Sequence, residues 1–285
     1  MKFSMLLSKG KVSVFRIILL LVIVFLVIQG SPALSHYLWA TIDHDSGKFG
    51  ITNLHFEDKP RPGIGEYLQP FADGAQAWIR TLKTTSPQRI QLAEVNKQGN
   101  RWLSAELPQL GPRSVEIYAK WGVWRFPDTG NETLLHYHAK HLDVNSSKNI
   151  QALGVANDFL LDIVPGRYVK PSKFFPLDIG IERLSNFINR SIGPSVEIFV
   201  RWKGQPAVDT HLTVRGPTGP KIHFRTDTKG YVRFQASEPG LWTFLTYVEE
   251  RDKKGVDQGK EYDVVRHTST LTLKLPVDLL ETEQP

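Results

Sequence analysis

Beyond residue 36 the apolar positions fall mostly at every second residue. They form short runs separated by Gly, Pro, Asn and Asp about every ten positions. This period-two pattern predicts strands over 37–42, 48–56, 77–82, 90–95 and 101–107. A long aromatic-rich strand over 114–126, kinked at Gly122, turns through 128–131 and returns over 133–142. A short helix over 73–82 competes with the strand at 77–82. The polar, non-periodic stretch 145–149 marks a boundary. A second set of strands follows over 159–164, 175–181, 195–202, 210–215, 221–226, 231–236, 241–249 and 263–275. The strand at 210–215 is expected to pair with the one at 221–226, and a charged loop covers 250–259. With no helices alternating between them, these strands predict an all-β protein of two antiparallel β-sandwich domains, immunoglobulin- or transthyretin-like. The expected division is a signal peptide over 1–35, an N-terminal sandwich over 36–149, a C-terminal sandwich over 150–276 and a tail over 277–285.

The leader is read from its order of residue types. Lys2, Lys9, Lys11 and Arg16 precede twelve apolar residues, 17–28, and the small residues Ala33 and Ser35 then prepare a cleavage before His36. Twelve residues fall short of the ~20 that a membrane-spanning helix needs. A cleaved signal and a periplasmic or extracellular protein are therefore expected, with no membrane span in the mature chain. The leader also explains the charge. The whole chain carries +6, but residues 1–35 hold four bases and no acid, and the remainder has 31 basic against 29 acidic groups. A nucleic-acid partner is not expected from so balanced a surface. The chain has no cysteine, which excludes disulfides, zinc-thiolate sites, cysteine nucleophiles and lipidated cysteine anchors.

No nucleophile elbow, P-loop, dinucleotide fingerprint or HExxH pair occurs. Asp227 to Gly230 reads as a turn with glycine in the left-handed region rather than as a calcium loop, because the acidic spacing of such a loop is missing. Trp102, Trp121, Trp124 and Tyr118 suit a sandwich core better than a sugar-binding platform. Histidines carry the candidate chemistry. Cleavage before His36 exposes an amine and an imidazole on one residue, and with another imidazole they form the nitrogen-rich set that suits copper(II) or nickel(II). His136 and His138 stand two apart on one strand and share a face, His141 falls on the other, and His267 lies in the last strand.

Several short segments taken in order resemble a known family. They are His36-Tyr37-Leu38-Trp39, Lys120-Trp121-Gly122-Val123 with Tyr137-His138-Ala139-Lys140, Leu161-Asp162-Ile163-Val164-Pro165, the turn Thr226 to Gly230 with Pro239-Gly240-Leu241-Trp242, and Tyr262 to His267. The family is the large extracytoplasmic group classed with periplasmic components of nickel and cobalt uptake systems. The second half is similar to the carboxypeptidase-regulatory, transthyretin-like sandwich. The resemblance implies an exported β-sandwich protein that handles metal; together with the nitrogen-rich donor set, the leading expectation is a non-enzymatic protein that binds or delivers nickel, cobalt or copper. The resemblance implies His36 as anchor ligand and His267 as second; His136 or His138 are substitutes by their shared strand face, and a membrane metal transporter or envelope component is the expected partner. The ending Leu279 to Pro285 carries no apolar helix for docking into a transporter. The alternative is a carbohydrate- or protein-binding, or structural, envelope module without metal. A copper oxidative enzyme built on His36 is a third reading.

Overall fold

The structure is a computed structural model that describes residues 36–64, 68, 71, 74–81, 87–109, 113–143, 176–185 and 195–275. The leader over 1–35, the boundary at 145–149, the strand expected over 159–164 and the tail over 277–285 lie outside the described residues. The N-terminal strands are β1 (Tyr37–Asp43), β2 (Ile51–Glu57), β3 (Gly63–Ile64), β4 (Gln76–Thr81), β5 (Gln88–Ile90), β6 (Ala93–Lys97), β7 (Asn100–Glu106), β8 (Arg113–Arg125) and β9 (Glu132–Asp143). The others are β10 (Leu177–Ser185), β11 (Ser195–Trp202), β12 (Gln205–Pro206), β13 (His211–Arg215), β14 (Lys221–Arg225), β15 (Tyr231–Gln235), β16 (Gly240–Glu250), β17 (Gly255–Asp257), β18 (Lys260–Tyr262) and β19 (Val264–Leu275).

The protein is all-β and built of sandwiches, as the period-two pattern predicts. The competition at 73–82 resolves to a strand, β4. The run expected over 90–95 is instead two strands, β5 and β6, which belong to different sheets. The kink expected at Gly122 is a register shift between Lys120 and Gly122 in the β8–β9 ladder. The pairing expected between 210–215 and 221–226 is the β13–β14 ladder. At the Asp227 turn the carboxylate accepts from the backbone N–H groups of Lys229 and Tyr231, both at 2.8 Å, and Gly230 takes a φ of 78°. Those two donors, the Tyr231 one foremost, hold the Asp227 carboxyl below its usual range. The turn is thus accounted for without an ion.

One sheet joins the two halves. Its order is β14-β13-β16-β19-β9-β8-β4-β5, and its central pair, β19 on β9, runs parallel while its other pairs are antiparallel. Parallel register puts partners on the same face. Tyr137 and Ala139 of β9 therefore share a face with Thr268 and Thr270 of β19, and His136, His138 and Lys140 share the other with His267, Ser269 and Leu271. Each face builds a different core. On the first, Leu135, Tyr137 and Ala139 of β9 with Ile117 and Ala119 of β8 pack against Leu38 of β1, Leu54 and Phe56 of β2 and Leu103 of β7. On the second, Leu271 and Leu273 of β19, Leu142 of β9 and Phe244 of β16 pack against Leu177 of β10, Ile198 of β11 and Val232 of β15. Trp102, Trp121 and Trp124 lie partly buried against the first core, so they fill the sandwich instead of forming a platform.

Polar groups close the seams. Thr270 and Thr272 of β19 donate from Oγ1 to the carbonyls of Leu38 and Ala40, at 2.6 and 2.5 Å, and so pin β1 to the shared sheet. On the second face the Lys140 ammonium donates to Asp178 and, at 3.0 Å, to the Ile179 carbonyl, which ties β9 to β10. Arg113, fully buried, donates from Nε to Asp143 at 2.8 Å and from a terminal nitrogen to the Phe49 carbonyl at 2.7 Å. Breaking a buried pair strands a charge, whereas replacing both partners by apolar groups removes the problem. Asp178→Ala is accordingly expected to destabilise the protein by about 3–5 kcal/mol in urea denaturation, and Lys140→Met with Asp178→Leu to recover most of that loss. Equal losses in the single and double variants would show that the charges themselves are not what matters.

Candidate functional site

Polar residues of β8, β9 and β19 that face away from the first core line the floor of the best-defined cluster. Because Lys120 pairs with His136 and Tyr118 with His138, these side chains stand in two neighbouring rows. His136 pairs with His267 across the parallel ladder, and their rings stack at 5.1 Å with only 16° between planes. Tyr118 Oη lies 2.7 Å from His136 Nδ1.

Two hairpins wall this floor. At the first, Lys203-Gly204 links β11 to β12 with φ of 50° and 83°, the twist that a two-residue hairpin requires. That turn carries Lys203, whose ammonium lies 2.6 Å from Glu250 and 4.8 Å from the centre of the Trp202 ring. Glu250 in turn accepts from His267 Nε2 at 3.0 Å, and Trp202 lies 5.1 Å from the His267 ring. The second hairpin, β17–β18, turns through Gln258-Gly259 with φ of 49° and 80°. It delivers Asp257, whose Oδ1 meets Lys120 Nζ at 2.5 Å while its Oδ2 is buried without a hydrogen-bond partner.

The electrostatics follow from burial. His136 is pushed down to about 4, first by burial and then by His267, Lys120 and Lys253. His138, buried and 3.3 Å from the Leu177 carbonyl through Nδ1, is pushed down to about 4 by burial and then by Lys140. Burial lowers His267 as well, against the opposing pull of Glu250. Burial would raise Glu250, but hydrogen bonds from Lys203 and His267 and the Lys253 charge outweigh it and hold the carboxyl at about 2. The rings at the floor are thus neutral at pH 7 and the carboxylate is ionised. Tyr118, His136, His138, Leu177 and His267 line a notch with room for about one water molecule.

The structure therefore brings together three of the four histidines that the sequence nominates. His136 and His267 touch, and His138 lines the same notch. His36 goes elsewhere. Its ring lies 5.9 Å from Phe56 and its Nε2 is 3.6 Å from Glu57, on the face that β1 covers, so the sheet stands between it and His267. His141 points away from His136 and His138, as alternation predicts, and its Nδ1 meets Thr272 Oγ1 at 2.6 Å. Glu250, Asp257 and Lys203 are not legible in the sequence because 203–206 and 250–259 read there as polar turn and loop, and only the fold makes them converge. Tyr118 and Lys120 were within reach, since both have the parity that places them beside His136. Among the described residues no group of three or more His, Asp or Glu side chains is arranged to hold a metal ion. No helix among them is long and apolar enough to cross a membrane.

No protein-family model matches the chain. No curated protein matches it either. Among solved structures it is similar to the D0-D1 domain of Intimin, with 11% identity over 83% of this chain and 96% of that one, at a TM-score of 0.21. It is also similar to the BSP domain of a biofilm-associated protein, with 9% identity over 84% of this chain and 52% of that one, at a TM-score of 0.19. Scores this low carry no argument about function.

The buried histidines give the protein a defined pH response. His55, His136 and His138 are held at about 4 and His141 at about 3, all chiefly by burial. In the unfolded chain each returns to about 6.5. Between those values the unfolded state binds more protons, so stability falls as pH falls, by up to about 1.4 kcal/mol per group per pH unit. The urea midpoint is expected to hold steady from pH 8 to 7 and to drop steeply from pH 6.5 to 4, with a shallower drop in His138→Gln. A flat profile would contradict the burial of these rings.

Proposed function

We propose that this chain is an exported, non-enzymatic binding or structural module of the cell envelope, in which the predicted histidines serve the fold. One observation carries the reading: the proposed ligands are divided by the shared sheet. His36 lies just ahead of β1 beside Glu57 and the first-core residue Phe56, while His136, His138 and His267 lie on the opposite face of the shared sheet. A metal ion must sit ~2 Å from each nitrogen it joins, and a sheet between two rings forbids that. On the second face Tyr118, the Leu177 carbonyl and Glu250 each hold one ring nitrogen, and among the described residues His136, His138 and His267 are not arranged as a three-ligand set. The nickel or cobalt chemistry implied by the family resemblance therefore does not fit these residues as placed.

What the architecture supplies is stiffness. Two cores share one sheet, and a buried ion pair ties the sheet to the second layer. Such a body suits a spacer or a scaffold that presents loops and sheet edges. The absence of cysteine and the leader pattern agree with an exported protein that relies on core burial alone.

The test is calorimetric titration of the purified chain with nickel, cobalt and copper, beside His36→Ala, His136→Asn and His267→Asn. Any metal response is expected to be the same in all four proteins. Binding at micromolar concentration or tighter that is lost in His36→Ala or His267→Asn would overturn the proposal and restore the metal-delivery reading.

A further inference from the structure

The eight-stranded sheet ends at β14, a strand with four of its five residues exposed and the fifth half-buried. Here lies a second histidine pair, which the sequence pattern does not single out. Thr213 of β13 pairs with His223 of β14, and His211 of β13 pairs with Arg225. His211 and Thr213 share a face by alternation, so His211 and His223 are diagonal neighbours on that face, within reach of each other. Their rings stand 5.0 Å apart with 29° between planes. Neither ring belongs to a hydrophobic core.

The surroundings keep one nitrogen of the outer ring oriented and the other accessible. His223 Nδ1 lies 3.2 Å from Thr213 Oγ1, which leaves Nε2 as the other nitrogen of an exposed residue. A partner on the far nitrogen is the usual support of a metal-binding imidazole. His211 is half-buried and its backbone carbonyl accepts from Thr246 Oγ1 at 2.6 Å, which fixes the strand beneath it. Arg225 stands across the ladder from His211, and Asp209 answers it at 3.1 Å. Burial, then His223, then Arg225 lower His211, so that ring is neutral near pH 7.

We propose that His211 and His223 form a surface site for one late first-row divalent cation, copper(II) foremost, with water completing its coordination. Two imidazoles bound to one ion at ~2 Å have ring centres about 5 Å apart, which is the spacing the β13–β14 ladder already holds. Copper leads because imidazole sites follow the order in which copper exceeds nickel, cobalt and zinc. The site differs from the floor of His136 and His267 in three ways: it faces solvent, no carboxylate holds its rings, and it lies at a sheet edge. Two cross-strand rings that repel once protonated are costly at an edge, and an ion shared between them turns that repulsion into attraction.

The experiment is copper(II) titration of the full chain at pH 7.5, read by calorimetry and by broadening of histidine ring signals in NMR. One ion per chain at micromolar affinity is expected, with the rings of His211 and His223 broadened first. His211→Asn and His223→Asn should each weaken binding at least tenfold. His223 is exposed and His211 half-buried, and an unaltered circular dichroism spectrum would confirm that the fold persists in both variants. His136→Asn should leave affinity unchanged, and lowering the pH to 5.5 should weaken it at least tenfold, because protonated imidazole does not bind. Binding indifferent to both β13–β14 variants, or none below millimolar copper, would overturn the site. Loss on His36→Ala instead would overturn this site and the proposed function together, whereas loss on His223→Asn alone leaves the latter standing.

Discussion

The parallel pairing of β9 with β19 is the constraint on which the rest of this structure depends. It joins a strand from the middle of the chain to the last one, in register from Val264 with Thr133 to Leu273 with Leu142. Such a pair is reached only after a long loop has closed, and nothing local dictates it. Once formed, it decides which residues face which layer. The odd members of β9 enter the first core with β1 and β2, and its even members face the second layer. From Thr133 onward β9 is buried on both faces apart from a half-buried His136, a burden that parallel strands commonly carry. A one-residue slip would put Lys140 into the first core and Ala139 against Asp178. The ion pair between Lys140 and Asp178 thus specifies register as well as joining layers.

A polar row crosses the sheet on that second face. Arg80 of β4 meets Glu116 of β8 at 3.1 Å, Glu116 pairs in register with Lys140 of β9, and Lys140 meets Asp178 of β10. Charges of alternating sign run from the edge of one sandwich into the heart of the other. Each is costly alone in a low-dielectric setting and tolerable beside its neighbours. The histidines continue this logic beside the charges. Imidazole is small and uncharged when buried, and it has two polar atoms that bracket neighbouring groups. His138 does so for the Leu177 carbonyl, His141 for Thr272 and His267 for Glu250.

Much of this fold was legible from period and punctuation. The strands at 37–42, 101–107, 133–142, 195–202 and 263–275 match observed elements closely, because runs rich in β-branched and aromatic residues are bounded by turns that carry glycine and aspartate. The facing of His136 and His138 away from His141 follows from the same parity. What was not legible is long-range. The hairpin of β17 and β18 looks like a charged loop, because strands this short and exposed carry no alternation. The division of 90–95 into two strands serving separate sheets reflects a change of layer that local sequence does not record. Above all, the sequence carries no sign that β9 and β19 adjoin, and hence none that His136 meets His267 or that His36 lies across the sheet from both.

Position within the sheet, and not residue type, therefore sorts the histidines. A ring in the middle of a two-sided sheet is surrounded by donors and acceptors already in place, so it becomes part of the framework. One at the outermost strand meets neighbours on one side and solvent on the other, and keeps a lone pair for something else. The sequence shows only nine imidazoles, and the pattern of residue types over 1–35 directs attention to His36. Topology assigns the availability, because strand order sets how many layers stand between each ring and water. In a sandwich with a shared sheet that count is largest at β9 and smallest at β14, where chemistry with a solute has the fewest competitors.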